Sequence, residues 1–134
     1  MKKIGIINSE ISAVIGALGH SDTLVVVDAG FPIPDSTVRI DLALRPGVPT
    51  FLQTLETVLE ELYVEKIIVA EEIERYSPHI LEAIQKLLPD TPVEKIPHIE
   101  FKQRSGSARA IVRTGEFTPY ANVILVAGPW GFKL

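Results

Sequence analysis

Gly19-His20-Ser21-Asp22-Thr23-Leu24-Val25-Val26-Val27-Asp28-Ala29-Gly30-Phe31-Pro32-Ile33-Pro34 is the stretch on which the fold turns. Its middle, Leu24 to Val27, is an unbroken apolar run between polar and turn-forming residues, the pattern of a strand buried on both faces of a parallel sheet. Asp28 then emerges where that strand ends, ahead of a loop held stiff by Pro32 and Pro34. Ligands of open α/β sheets collect outside the carboxyl ends of the strands, so an ionisable residue there is placed for binding or proton transfer. His20 stands before the same strand, and the fold could bring it back within reach.

Upstream, Asn8 or Ser9 can cap a helix whose apolar positions are Ile11, Val14, Ile15 and Leu18, with Gly19 suited to a left-handed residue just past its end. The exposed carbonyls of that helix end favour a positive charge, which suits His20 as a general acid. Downstream, Val38, Ile40, Leu42 and Leu44 alternate with more polar-tolerant positions as in a strand that Pro46-Gly47 ends. Thr50 and Gln53 form a capping box for a helix through Leu62. Lys66 to Ala70 repeats the buried-strand pattern and ends on Glu71-Glu72. Ser77-Pro78 reads as the N-cap and first residue of a helix that Pro89-Asp90 stops. Strands follow at Val93 to Ile96, Ala110 to Arg113 and Val123 to Ala127, with a short helix and turn over Phe101 to Ala108. Alternating strands and helices predict an α/β fold: a three-layer α/β/α single domain over residues 1–134 with a mostly parallel or mixed central sheet.

The formal charge of −4 over 134 residues supplies no basic surface for a phosphate backbone, so nucleic acid is not an expected partner. No cysteine is present, which excludes disulfides and thiolate metal sites and fits a reducing cytosol. Lys2-Lys3 and the apolar residues after them stop at Asn8 and Glu10, too soon for a secretory signal. No apolar run approaches the roughly 18 residues of a membrane helix, so a soluble protein without a membrane partner is expected. A hydrophobic share of 46% is high for a small soluble monomer and suggests surface covered by other subunits. The tail Pro129 to Leu134 is apolar enough to pack on a neighbour or near the site.

The sequence has no Gly-x-Ser-x-Gly elbow to expose a nucleophile and no glycine-rich turn to cradle a dinucleotide. What remains is histidine and carboxylate chemistry with a tyrosine and an asparagine, a set suited to moving protons on a neutral polyol. Each residue also has an ordinary structural reading: His20 as a helix-end residue, Asp28 as a turn former, His98 after Pro97 as structural, Tyr120 and Asn122 as shaping the turn after Pro119. Glu71-Glu72 is a rival acid-base or cation-binding pair. A metal site from His20, Asp22, Asp28 and His98 matches no ligand spacing with a mechanical basis.

Leu18-Gly19-His20-Ser21-Asp22, Asp28 through Pro34, Arg39-Ile40-Asp41-Leu42-Ala43, and Ile111-Val112-Arg113-Thr114-Gly115-Glu116 continuing through Thr118 to Asn122 together resemble the D-ribose pyranase family, which is related to the fucose mutarotases. The resemblance runs over nearly the whole chain, with support from Ala70-Glu71-Glu72-Ile73. It implies that His20 is the proton donor and that Asp28, His98 and the segment Tyr120, Ala121, Asn122 hold the sugar. It implies D-ribose as substrate, since the fucose branch usually places a histidine where Gly30 stands. The expected reaction interconverts the pyranose and furanose forms of ribose through the open chain, with no cofactor and no metal. Rival readings are a non-catalytic sugar-binding or regulatory protein, and a mutarotase for fucose or another sugar. The resemblance also implies cytoplasmic homo-oligomeric rings, often decamers, with sites near subunit boundaries.

Overall fold

The valine run forms strand β1 (Thr23–Val27), with Leu24 to Val27 wholly buried. Its side chains alternate between two cores, Leu24 and Val26 in one and Val25 and Val27 in the other, as the two-residue period of a strand requires. Burying such a side chain contributes about 1.5–3 kcal/mol, so the run anchors both faces of the sheet. The computed structural model describes residues 1–132.

The remaining strands are β2 (Arg39–Asp41), β3 (Val64–Ala70), β4 (Val93–Ile96), β5 (Ala110–Arg113) and β6 (Val123–Ala127), in the order β2-β5-β1-β6-β3-β4. The pairs β2–β5, β5–β1 and β3–β4 are parallel, and β6 runs antiparallel between β1 and β3. The sheet is therefore mixed, with β6 reversed. The larger core joins one face to Ile11 of helix α1 (Ser9–Ala17), Phe51, Leu55 and Val58 of α2 (Phe51–Leu59), Ile73 of the short α3 (Ile73–Tyr76), and Ile80, Leu81 and Ile84 of α4 (Pro78–Leu87). The other face is covered by Phe101 of α5 (His98–Ser105) and by Phe31 and Ile33 of the loop after β1. The expected three layers are present, one thick and one thin.

Several local expectations change. Asn8 caps α1, its Oδ1 accepting Ile11 N at 2.9 Å, but the left-handed residue is Ser21, φ +75°, and not Gly19. Leu18 is already extended, and Gly19 instead opens a turn closed by Asp22, whose carboxylate accepts Gly19 N at 2.8 Å. The strand read across Val38 to Leu44 shrinks to β2, because the Asp41 carboxylate accepts Ala43 N at 3.0 Å and bends the chain away, leaving Leu44 78% exposed. Thr50 and Gln53 make the capping box. Ser77 precedes Pro78 at the start of α4 as expected, yet its hydroxyl makes no cap; it donates to Pro119 O at 2.6 Å and ties α4 to the Tyr120 loop. Helix α5 begins at His98, three residues earlier than its own sequence suggests, because the Glu72 carboxylate accepts His98 N at 3.0 and 3.1 Å.

Candidate active site

Five strands point the same way, so their carboxyl ends meet at one edge of the sheet, and reversed β6 begins there. This topology gathers Asp28 after β1, Glu71 and Glu72 after β3, His98 after β4 and Asn122 before β6. Asn122 is wholly buried and its Oδ1 accepts Asp28 N at 2.8 Å, joining residues far apart in sequence. Asp28 in turn accepts Gly30 N at 2.9 Å. The His98 ring packs edge-on to Tyr120 at 5.0 Å between centroids and to Phe31 at 6.1 Å, and lies against Phe101. Tyr120 adopts φ +60°, a conformation a bulky residue holds only when its surroundings over-determine it; here Tyr76 stacks on its ring at 5.4 Å and Ser77 holds the preceding carbonyl.

His98 Nδ1 and Asn122 Nδ2 are buried without a hydrogen-bond partner. Burying such a group unpaired costs about 1–3 kcal/mol, so two in one cluster indicate a place for a polar ligand or water. Burial also pushes the Asp28 carboxyl above the usual aspartate range, against the Gly30 amide, the Asn122 side chain and nearby His98. Burial and the charge of Lys102 push the His98 imidazole down, against Glu72 and Asp28. His98 is consequently neutral at pH 7, able to accept a hydrogen bond at one ring nitrogen and donate at the other.

Beside Asp28 opens a cleft of about 310 Å³, lined also by Gly30, Arg113, Glu116, Thr118 and Pro119. Arg113 Nε donates to Ala29 O at 3.0 Å, and a terminal nitrogen of the same side chain lies 3.1 Å from both Asp41 oxygens. Burial raises the Glu116 carboxyl, but hydrogen bonds from Phe51 N and from Thr118 outweigh it and hold it below the usual glutamate range. A larger cleft of about 530 Å³ lies between residues 5–8 and α2, contains none of these groups, and is mainly apolar.

His20 is elsewhere. It precedes β1 whereas Asp28 follows it, so the length of that five-residue strand, roughly 17 Å, lies between them. At that opposite end, Ser21 N donates to Ala127 O at 2.9 Å, and His20 Nε2 lies 3.1 and 3.0 Å from the two carboxylate oxygens of Glu65. One chain thus brings together Asp28, His98, Tyr120, Ala121 and Asn122 and leaves His20 out. The imagined set His20, Asp22, Asp28 and His98 is likewise split between the two ends. The tail leaves the sheet at the His20 end, where Gly128 N donates to Tyr63 O at 3.0 Å. Trp130 and Phe132 are exposed; Lys133 and Leu134, the rest of the tail, lie outside the described residues.

Residues 1–129 match the sequence profile of the RbsD / FucU transport protein family. The chain belongs to this family. Within it, the chain is 54% identical to a D-ribose pyranase of Lactobacillus gasseri and 52% identical to one of Laribacter hongkongensis, each over 128 residues that make up 96% of this chain and 98% of the relative. The structure of Bacillus subtilis RbsD complexed with D-ribose superposes with a TM-score of 0.93 at 45% identity, covering 96% of this chain and 98% of that one. The α/β fold expected from the sequence is thus the fold of the RbsD / FucU family, and Trp130 onward extends past the family profile. Of the rival pair Glu71-Glu72, Glu72 has its carboxylate on His98 N at 3.0 and 3.1 Å, while Arg113 and Glu116 have no individual site role legible in the sequence. Arg113 and Glu116 stand inside a segment that carries the family resemblance, but their partners Ala29, Asp41 and Phe51 lie 65 or more residues away in the chain.

Proposed function

We propose that this chain is a D-ribose pyranase, interconverting β-D-ribopyranose and β-D-ribofuranose by acid-base ring opening and reclosure. The observation that carries the proposal is the meeting of Asp28, neutral His98 and Asn122 at the strand ends, with two polar side-chain atoms awaiting partners, in a chain 54% identical to a protein named D-ribose pyranase. Opening the pyranose removes the C1 hydroxyl proton, protonates the ring oxygen O5 as the C1–O5 bond breaks, and leaves the aldehyde. Closure joins the C4 hydroxyl oxygen to C1, with that hydroxyl losing its proton and the carbonyl oxygen gaining one. Asp28, His98, Tyr120 and Asn122 hydrogen-bond the sugar hydroxyls, Ala121 contributes its main chain, and His20 delivers the proton.

His20 reaches the sugar from a second copy of the chain. Exposed Tyr76, Ile99 and Phe117 lie at or near the Asp28 edge, and exposed Tyr63 and Trp130 lie at the His20 end, which favours head-to-tail contact between unlike surfaces. Such contacts close into rings where the rotation between copies divides a full turn, in line with the cytoplasmic decamer of ring-shaped pentamers that the family resemblance implies. Among the described residues no helix is long and apolar enough to cross a membrane.

Positioned acid-base groups contribute about 100- to 10,000-fold, enough to matter for a reaction that already proceeds in water. NMR exchange measurements on D-ribose are expected to show faster pyranose–furanose transfer with the protein, lost in His20→Ala. Ribose binding without faster exchange would assign a binding or regulatory protein instead, and faster exchange of L-fucose than of ribose would reassign the substrate.

A further inference from the structure

Resting on the reading of His20 as proton donor, we infer that Glu65 is its positioning residue, presented by a β-bulge built for that contact. Strand β3 pairs Val64 with Ala127 and Lys66 with Val126, so two steps along β3 match one step along β6 and Glu65 is the extra residue. A bulge re-aims a side chain that regular pairing would hold in the pleat. Here the re-aimed carboxylate meets His20 Nε2, while Lys66, next in the chain, pairs with Glu94.

The surrounding backbone is cut to fit. A Cβ on Gly128 would stand 2.8 Å from both the Glu65 Cβ and the Tyr63 ring, so only glycine lets the end of β6 lie against the bulge. On the other side Ser21 N donates to Ala127 O and Ala127 N donates to Asp22 O, each at 2.9 Å. These two bonds fix the His20 backbone relative to the residue that pairs with Val64.

The chemical consequence is a choice of ring nitrogen. A carboxylate against Nε2 keeps a proton there and fixes both tautomer and ring plane. Nδ1 is then the atom that exchanges protons with substrate: an acceptor when the ring is neutral and a donor when it is charged. Ring opening and reclosure require that alternation at one place.

The test compares Glu65→Ala, Glu65→Gln, His20→Ala and the Glu65→Ala/His20→Ala pair in the full-length protein, using ribose exchange by NMR. Glu65→Ala is expected to lower kcat about 10- to 100-fold with KM changed by no more than about two-fold. Glu65→Gln should recover part of the rate, since its amide oxygen still accepts a hydrogen bond from Nε2–H. In the His20→Ala background, Glu65→Ala should cause no further loss, because Glu65 acts only through His20. Nitrogen NMR of the His20 ring should show the Nε2–H tautomer in the parent protein and a mixture in Glu65→Ala. A parent-like kcat in Glu65→Ala, a further loss in the His20→Ala background, or an unchanged ring-nitrogen spectrum would each overturn the inference. Should the parent protein fail to speed ribose exchange, the functional reading falls, and the ring-nitrogen spectra still decide whether Glu65 sets the tautomer.

Discussion

Asp28 sits where a carboxylate is costly to ionise, because burial raises its proton affinity more than Gly30, Asn122 and His98 lower it. A carboxyl whose folded-state value is raised contributes stability that is full below its ordinary value of 3.8 and is lost as pH rises through its folded range. Asp28→Asn removes that titration and keeps an Oδ1 to accept Gly30 N. Its unfolding midpoint is therefore expected to exceed the parent's at pH 7, with the gap closing below about pH 3.8. Ribose exchange should fall about 10- to 100-fold in the same variant, the equivalent of one charge-assisted hydrogen bond. Thermal melts across pH together with NMR exchange check both. A variant that loses stability at pH 7 would contradict the placement of Asp28 as a residue held for function at a cost to the fold.

At the scale of elements, Glu116 joins segments that the sequence separates. Its carboxylate accepts Phe51 N at 3.0 Å at the start of α2 and Thr118 Oγ at 2.7 Å, while its carbonyl accepts Ala29 N at 2.8 Å. A negative charge at a helix N-terminus is favourable, so the carboxylate caps α2 and braces the loop before Tyr120, while the main-chain carbonyl, kept in any substitution, holds the loop carrying Asp28. Glu116→Ala should cost about 1–3 kcal/mol in urea unfolding, the range for leaving such donors unpaired, and weaken ribose binding as well. Glu116→Gln, which retains an acceptor, should fall between. Gly115→Ala is expected to be the more damaging neighbour, because its Cβ would stand 2.6 Å from Val48 O and 2.7 Å from Arg45 O, and main-chain atoms cannot swing aside. A Glu116→Ala protein with unchanged midpoint and unchanged ribose affinity would show that the brace carries nothing.

For the whole molecule, the separation of His20 and Asp28 by the length of β1 means that the proposed reaction requires residues from two copies of the chain. Mixing His20→Ala with Asp28→Asn chains, unfolded together and refolded, should raise activity above that of either variant alone. Random head-to-tail assembly leaves about a quarter of the sites with both native residues. Recovery to about that fraction of the parent rate is the expected result; none would place the whole reaction within one chain and require another proton donor near Asp28. Sedimentation of the parent protein should show an oligomer, and a monomer that speeds ribose exchange would refute the shared site.

The sequence by itself determined the layers and the chemistry. Leu24 to Val27, the Thr50–Gln53 box and the apolar spacing of Ile80, Leu81 and Ile84 are local patterns, and burial acts on local patterns directly. It also marked out Asp28, His98 and Tyr120 to Asn122, chiefly through a family resemblance, since their residue types alone left structural and functional readings open. Tertiary structure decided what depends on pairs distant in the chain. It set the reversal of β6, the capping of α5 by Glu72, the Asn122–Asp28 contact and the bulge that turns Glu65 toward His20. It also decided how the opening stretch is used: Asp28 at one end of β1 joins this chain's cluster, and His20 at the other faces outward. A strand's rise per residue is fixed, so no folding of a single chain brings the two ends of β1 together.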